Sequence, residues 1–291
     1  MGQGLLERLA QETLICEGAM GSELSARGVV FRNTGEANLT APEVVAAVHR
    51  DYQQAGAQVF QTNTFAANLL MLERAGLAEQ AAAMQTAAVR LCREAVGPDG
   101  LVGANLGPTG RLLAPLGEVS REEVVACYRH QLEVMLAQSV DFVLLESFEA
   151  LEEVEAVLEA VRAVGCTLPV AVTMSFSSPQ GRSMMGVDGA RAGRELTALG
   201  ADVVGANCGH PEGLLTAVRA MAEVTDRPLM AQPNAGMPEL VAGRTVYRQS
   251  PEEFGRFAQA LVESGVRLLG GCCGTTPAHI RQLARVARAG A

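Results

Sequence analysis

The chain has 291 residues, 48% hydrophobic and 19% charged, a globular profile that excludes disordered and fibrous classes. Its net charge is −9, its aromatic content is 4%, and it contains no basic run, which argues against a nucleic-acid partner. No apolar run approaches the ~20 residues of a membrane span, and the segment Met1-Gly2-Gln3-Gly4-Leu5-Leu6-Glu7-Arg8 lacks the basic stretch and apolar core of a signal peptide. No membrane association is expected. The expected location is the cytoplasm, where the seven cysteines stand as free thiols or ligands rather than disulfides.

Residues 13–17 are the first of eight short apolar runs that read as strands. A long connection, 19–39, follows. The spacing then predicts a helix over 42–55, with Thr40 as its cap and Pro42 in the first turn. Strand 58–62 precedes a helix over 78–96, and strand 101–106 precedes a helix over 121–139. Strand 142–146 leads to a helix over 151–164. Strand 170–175 is followed by a second long connection, 176–187, and a helix over 189–199. The last three pairs are strand 202–207 with helix 213–224, strand 229–232 with helix 251–264, and strand 266–270 with helix 277–289. Ser120, Ser250 and Thr276 stand at cap positions.

The strands are rich in Val, Leu and Ile and nearly continuous in hydrophobicity, as parallel strands covered on both faces should be. Eight of them alternating with helices predict an α/β fold, a (β/α)8 TIM barrel in a single domain over residues 1–291. The rival is an open doubly wound sheet. It would carry a glycine-rich dinucleotide fingerprint after the first strand, and Glu17-Gly18-Ala19-Met20-Gly21-Ser22 has the wrong spacing.

Three cysteines carry the chemistry. Cys208 follows the sixth strand in Gly205-Ala206-Asn207-Cys208-Gly209-His210, and Cys272 and Cys273 follow the eighth in Gly270-Gly271-Cys272-Cys273-Gly274-Thr275-Thr276-Pro277. The C-terminal ends of barrel strands form the working face. Adjacent strand residues point to opposite faces, so neighbouring cysteines share a metal only where the backbone leaves the strand. The flanking glycines permit that departure. Three sulfurs with one open position suit catalytic zinc, whereas four fixed ligands would be structural. Plain packing is the alternative; it fits Cys16, Cys92, Cys127 and Cys166, which lie in strand or helix patterns. His210 reads as a helix-start residue, and His49, His130 and His279 as surface or internally satisfied residues within helices.

These motifs resemble the homocysteine S-methyltransferase family. The resemblance rests on Gly270–Pro277, Gly205–Gly209, Glu17–Ser22, Gln61–Phe65, Gly107–Gly110 and Gln232–Gly236, and runs over about residues 13–285. Within the family the chain is most similar to the homocysteine-binding module of cobalamin-dependent methionine synthase, on the stretch Pro238–Phe254 with Tyr247, and on Cys273-Gly274-Thr275. The resemblance implies zinc on Cys208, Cys272 and Cys273, with Asn234 as a possible oxygen donor while substrate is absent. It implies that Glu17 and Glu146 bind the ammonium of homocysteine and that backbone amides around Gly18 and Ala19 hold its carboxylate. The family usually has Asp where this chain has Glu17.

The implied reaction is methyl transfer to the thiol of homocysteine, giving methionine. A coordinated thiol is deprotonated, and three cysteinates on zinc leave a net negative charge that keeps the fourth sulfur nucleophilic. No catalytic side chain is then needed beyond the zinc site. The implied donor is methylcobalamin, carried by another domain or subunit and not bound by this domain alone. The alternatives are a stand-alone enzyme using S-methylmethionine or another small sulfonium or ammonium donor, and a non-catalytic zinc-binding or thiol redox protein. Two carboxylates aimed at the mouth argue against the last, since a metal store has no use for them.

Overall fold

A computed structural model describes residues 4–289. Its strands are β1 (Leu14–Ile15), β2 (Val59–Gln61), β3 (Leu101–Leu106), β4 (Phe142–Phe148), β5 (Val170–Met174), β6 (Val203–Asn207), β7 (Leu229–Gln232), β8 (Glu239–Val241), β9 (Arg244–Val246) and β10 (Val266–Leu269). The helices are α1 (Leu5–Leu9), α2 (Met20–Ala26), α3 (Ala37–Thr40), α4 (Pro42–Ala55), α5 (Leu69–Ala75), α6 (Ala81–Val96), α7 (Arg121–Leu136), α8 (Leu151–Ala163), α9 (Gly189–Ala198), α10 (Pro211–Ala222), α11 (Pro251–Glu263) and α12 (Pro277–Ala289).

All strands but β8 and β9 form one sheet in the order β1-β10-β7-β6-β5-β4-β3-β2, with every pairing parallel. A parallel bridge from Cys16 to Val59 joins the two ends. Gln58 N donates to Ile15 O at 2.8 Å and Glu17 N to Val59 O at 2.9 Å, so the sheet closes into the expected (β/α)8 barrel.

Alternation along the strands sorts residues into two cores. Leu14, Cys16, Val59, Leu101, Phe142, Leu144, Ala171, Val203, Met230 and Leu268 fill the barrel interior, with Leu5 and Leu9 of α1 against its lower end. The intervening residues, among them Val102, Val143, Val172 and Val204, pack outward against the helices. Phe142 is the largest interior side chain, and its ring occupies the space a side chain on Gly103 would need. Phe142→Ala should therefore cost about 3–5 kcal/mol in urea unfolding; a loss under ~1 kcal/mol would mean the interior collapses around the gap.

The caps at Ser120 and Ser250 are present as capping boxes with Glu123 and Glu253. Thr40 does not cap α4. The cap residue is Ala41, and the Thr40 hydroxyl donates to Glu36 O at 3.1 Å. The connection 19–39 contains α2, α3 and a 3-10 turn over Thr34–Glu36. The segment before α11 folds as a β8–β9 hairpin, and α5 inserts between β2 and α6. Among the described residues, no helix is long and apolar enough to cross a membrane.

Candidate metal and substrate site

Above the apolar interior the same alternation continues into polar residues. Val59 is followed two positions on by Gln61, Gly103 by Asn105, Leu144 by Glu146, Ala171 by Thr173, Gly205 by Asn207 and Met230 by Gln232. Each of these polar side chains is buried. Gln61, Asn105 and Glu146 of these line a cavity of about 410 Å³ at the C-terminal ends of the strands, together with Glu17, Gly18, Ala19, Cys208, Cys272 and Cys273.

The three cysteines converge on this cavity, their sulfurs all within 4.8 Å of one another. Cys208 leaves β6 in the left-handed region at φ 56, a conformation that non-glycine residues rarely hold outside functional sites. Its N–H donates to Gln232 O at 3.0 Å, tying the turn to β7. Cys272 and Cys273 lie beyond the end of β10. Cys272 N donates to Pro233 O at 2.8 Å, and Ala235 N donates to Cys273 O at 3.0 Å. Both sulfurs thereby reach one side despite being adjacent in sequence. Gly274, at φ 77, closes the turn, and the Tyr247 ring fills the space a side chain there would need.

The sulfurs interact strongly. The Cys272 and Cys273 thiols hydrogen-bond to Cys208 and pull its pKa down to about 2. The same bonds push Cys273 up to about 11 and Cys272 well above the ordinary thiol range. Hydrogen bonding among the three thiols therefore favours ionisation at Cys208 over the other two. Zinc on three thiolates at ~2.3 Å would set the sulfurs ~3.8 Å apart. The Cys272–Cys273 separation is 4.0 Å, so the donor set fits the ion.

Glu146 stands across the floor. Asn105 Nδ2 donates to its Oε2 at 2.7 Å, and Asn207 Nδ2 reaches its Oε1 at 3.4 Å. Asn207 also donates to Cys272 Sγ at 3.8 Å and accepts from Ser147 N at 2.9 Å, which links the carboxylate to the cysteine cluster. Burial pushes Glu146 up to about 7, and the charge on Cys208 adds to the shift. Such a carboxylate calls for a cationic partner.

The remaining expected site residues are placed as follows. Glu17 lines the cavity, but its carboxylate also accepts from Gln61 N at 2.8 Å and bonds His49 Nδ1 at 2.8 Å. Gly18 is held where a side chain would strike the Thr275 hydroxyl and the Tyr52 ring. The Ala19 N–H is already engaged by Thr275 Oγ1 at 3.1 Å. Asn234 Nδ2 donates to Gly209 O at 3.1 Å, while its buried Oδ1 has no partner and the side chain lies against Cys208. His210 caps α10 and is not part of the sulfur cluster. Cys16, Cys92 and Cys127 are buried in the core, as their patterns suggested.

Sequence reading missed Asn105, Asn207 and His49. Asn105 and Asn207 were accessible by counting in twos from the interior residues of β3 and β6. His49 gave no signal, because its role depends on which residue α4 brings it against.

Comparison with known proteins agrees with this geometry. The family model for homocysteine S-methyltransferase matches residues 14–287. The chain is 32% identical to a methionine synthase of Mycobacterium leprae over 96% of its own length, but spans only 25% of that protein. It is 34% identical to betaine–homocysteine S-methyltransferase 1 of Mus musculus, covering 97% of this chain and 74% of that one. The metallated form of the Escherichia coli homocysteine methyltransferase MmuM superposes with a TM-score of 0.79 at 26% identity, over 94% of this chain and 96% of that one. With three converged cysteines at the mouth of a barrel and the family match over nearly its whole length, this chain belongs to the homocysteine S-methyltransferase family.

Proposed function

We propose that the chain performs zinc-dependent methyl transfer to the thiol of homocysteine, giving methionine, with methylcobalamin on another domain or subunit as the donor. The observation that carries this reading is the convergence of three thiols and two carboxylates on one cavity. Cys208, Cys272 and Cys273 would hold the ion, and the partnerless Asn234 Oδ1 is the candidate fourth donor before substrate arrives. Zinc there would supply the acidity that strips a thiol of its proton at neutral pH. The protein side chains bind and orient. Glu146 and Glu17 receive the ammonium, and the floor of amides fixes the Glu146 carboxylate. No histidine lines the cavity, and the Glu146 carboxylate, pushed up to about 7 by burial, is assigned to the ammonium.

A second cavity of about 680 Å³ adjoins the first through Pro108, Ser147 and Glu149. Leu112, Leu116 and Met184 on its rim are 53%, 68% and 73% exposed, an apolar face open to a large donor. This open face supports a cobalamin-bearing partner, while Phe65 lines the adjoining cavity and aromatic faces recognise small quaternary ammonium groups, which keeps a small ammonium donor among the alternatives. The likeness to the Escherichia coli homocysteine methyltransferase, matched over nearly the whole of both chains, supports a small donor that needs no further domain as the second reading.

Reduced protein should contain one zinc per chain by elemental analysis. Homocysteine binding to it should release about one proton, because the thiol enters ionised. Absence of zinc, or binding without proton release, would refute the reading. Turnover with methylcobalamin against S-methylmethionine then decides the donor.

A further inference from the structure

The carboxylate of Glu17 is held from outside the barrel. Cys16 points into the barrel interior, and Glu17, the next residue, stands just past the strand, where it lines the cavity with its carboxylate braced from α4. There it meets His49 on α4 at 2.8 Å, with the two side chains 2% and 0% exposed. Its other oxygen accepts from Gln61 N at 2.8 Å. Among the described residues, no arginine pairs with Glu17, although burial of a carboxylate ordinarily calls for a strong cation.

The far side of the imidazole is equally informative. His49 Nε2 is buried with no hydrogen-bond partner, and the group beside it is the Cys92 thiol of α6. Burial disfavours the charged ring, but Cys92 and Glu17 beside it hold the His49 pKa well above the ordinary imidazole range, which strengthens the Nδ1 contact to Glu17. Cys92 is fully buried and does not line the cavity, so it is closed to substrate and makes no nucleophile.

We propose that His49 is a positioning residue for substrate: its Nδ1 contact fixes the Glu17 carboxylate in the wall of the cavity, at the place where the homocysteine ammonium is received. The inference rests on the reading that this cavity binds homocysteine.

The test compares His49→Phe and His49→Asn in the zinc-loaded protein, titrating homocysteine and 1-propanethiol, a thiol with no ammonium. Zinc content and thermal midpoint are recorded for each variant. His49→Phe should weaken homocysteine by roughly 10–100-fold, the scale seen when the partner that orients a ligating group is removed. Its affinity for 1-propanethiol should not change. His49→Asn keeps an N–H donor near the Nδ1 position and should recover most of the loss. Equal weakening of both thiols would show that His49 only supports the fold and would overturn the proposal. So would unchanged homocysteine affinity in His49→Phe, or an Asn variant no better than the Phe variant at equal zinc content. Failure of the unmodified protein to bind homocysteine at all would instead refute the proposed function, so the two failures are distinct.

Discussion

Cys208→Ser should abolish zinc binding and methyl transfer together while leaving the barrel folded. Changing a residue that merely orients a ligand costs ~10–100-fold in metal affinity or activity, so losing a ligand should cost more. Three features of this site sharpen the expectation. Cys208 is the sulfur on which the other two thiols converge, and their hydrogen bonds lower its pKa. Its left-handed backbone is held by a bond from its own N–H to β7, which serine leaves intact. Serine is also nearly isosteric, so packing changes little. Zinc content, far-ultraviolet circular dichroism and turnover measured on one preparation check the claim. A serine variant with full zinc and full activity would show that the three cysteines are not the working ligand set.

The second large effect is expected at Glu146→Gln. A hydrogen-bonded buried charge pair contributes about 1.5–3 kcal/mol, so homocysteine affinity should fall roughly 10–100-fold. The change leaves the amide floor occupied and the volume almost unaltered. The pH dependence is more diagnostic. Glu146 is pushed up to about 7 by burial, so below that pH it must lose a proton to receive an ammonium. The entering thiol loses another. Below pH 7 the affinity of the unmodified protein should rise with a slope of about two protons per pH unit, and that of the Gln variant with a slope of about one. Equal slopes would exclude Glu146 from the ammonium site. The same raised pKa carries a sign for folding. The native state holds a proton that the unfolded chain has already released, so this group's contribution to stability falls as pH rises from about 4.5 to about 7.

Much of the barrel was readable before any coordinates. The eight apolar runs all became strands of the closed sheet, and each predicted helix is present within a few residues at its ends. Continuous Val-, Leu- and Ile-rich runs mark strands buried on both faces, and helix spacing between them forces parallel crossovers. The unread elements lie in the connections. α2, α3, α5 and the β8–β9 hairpin are short, and a few residues carry too little periodicity to distinguish turn, helix and strand. Their form is set by what they cover: Tyr247, just beyond β9, packs over Gly274 beside Cys273.

The sequence by itself determined the donor atoms and the face on which they appear. Cysteines flanked by glycines at the ends of β6 and β10, and carboxylates at the ends of β1 and β4, needed only strand periodicity and the polarity of a barrel to be assigned to one mouth. Tertiary structure decided how those groups are electrically arranged. Thiols separated by 64 residues interact only when β7 brings the two loops together. Glu146 rises because a floor of side chains from other strands excludes water around it. Glu17 is braced by a histidine 32 positions away on a helix outside the barrel. Residue identity and local spacing are properties of neighbours in the chain. Charge state and orientation depend on neighbours in space, and those are fixed only when the sheet closes.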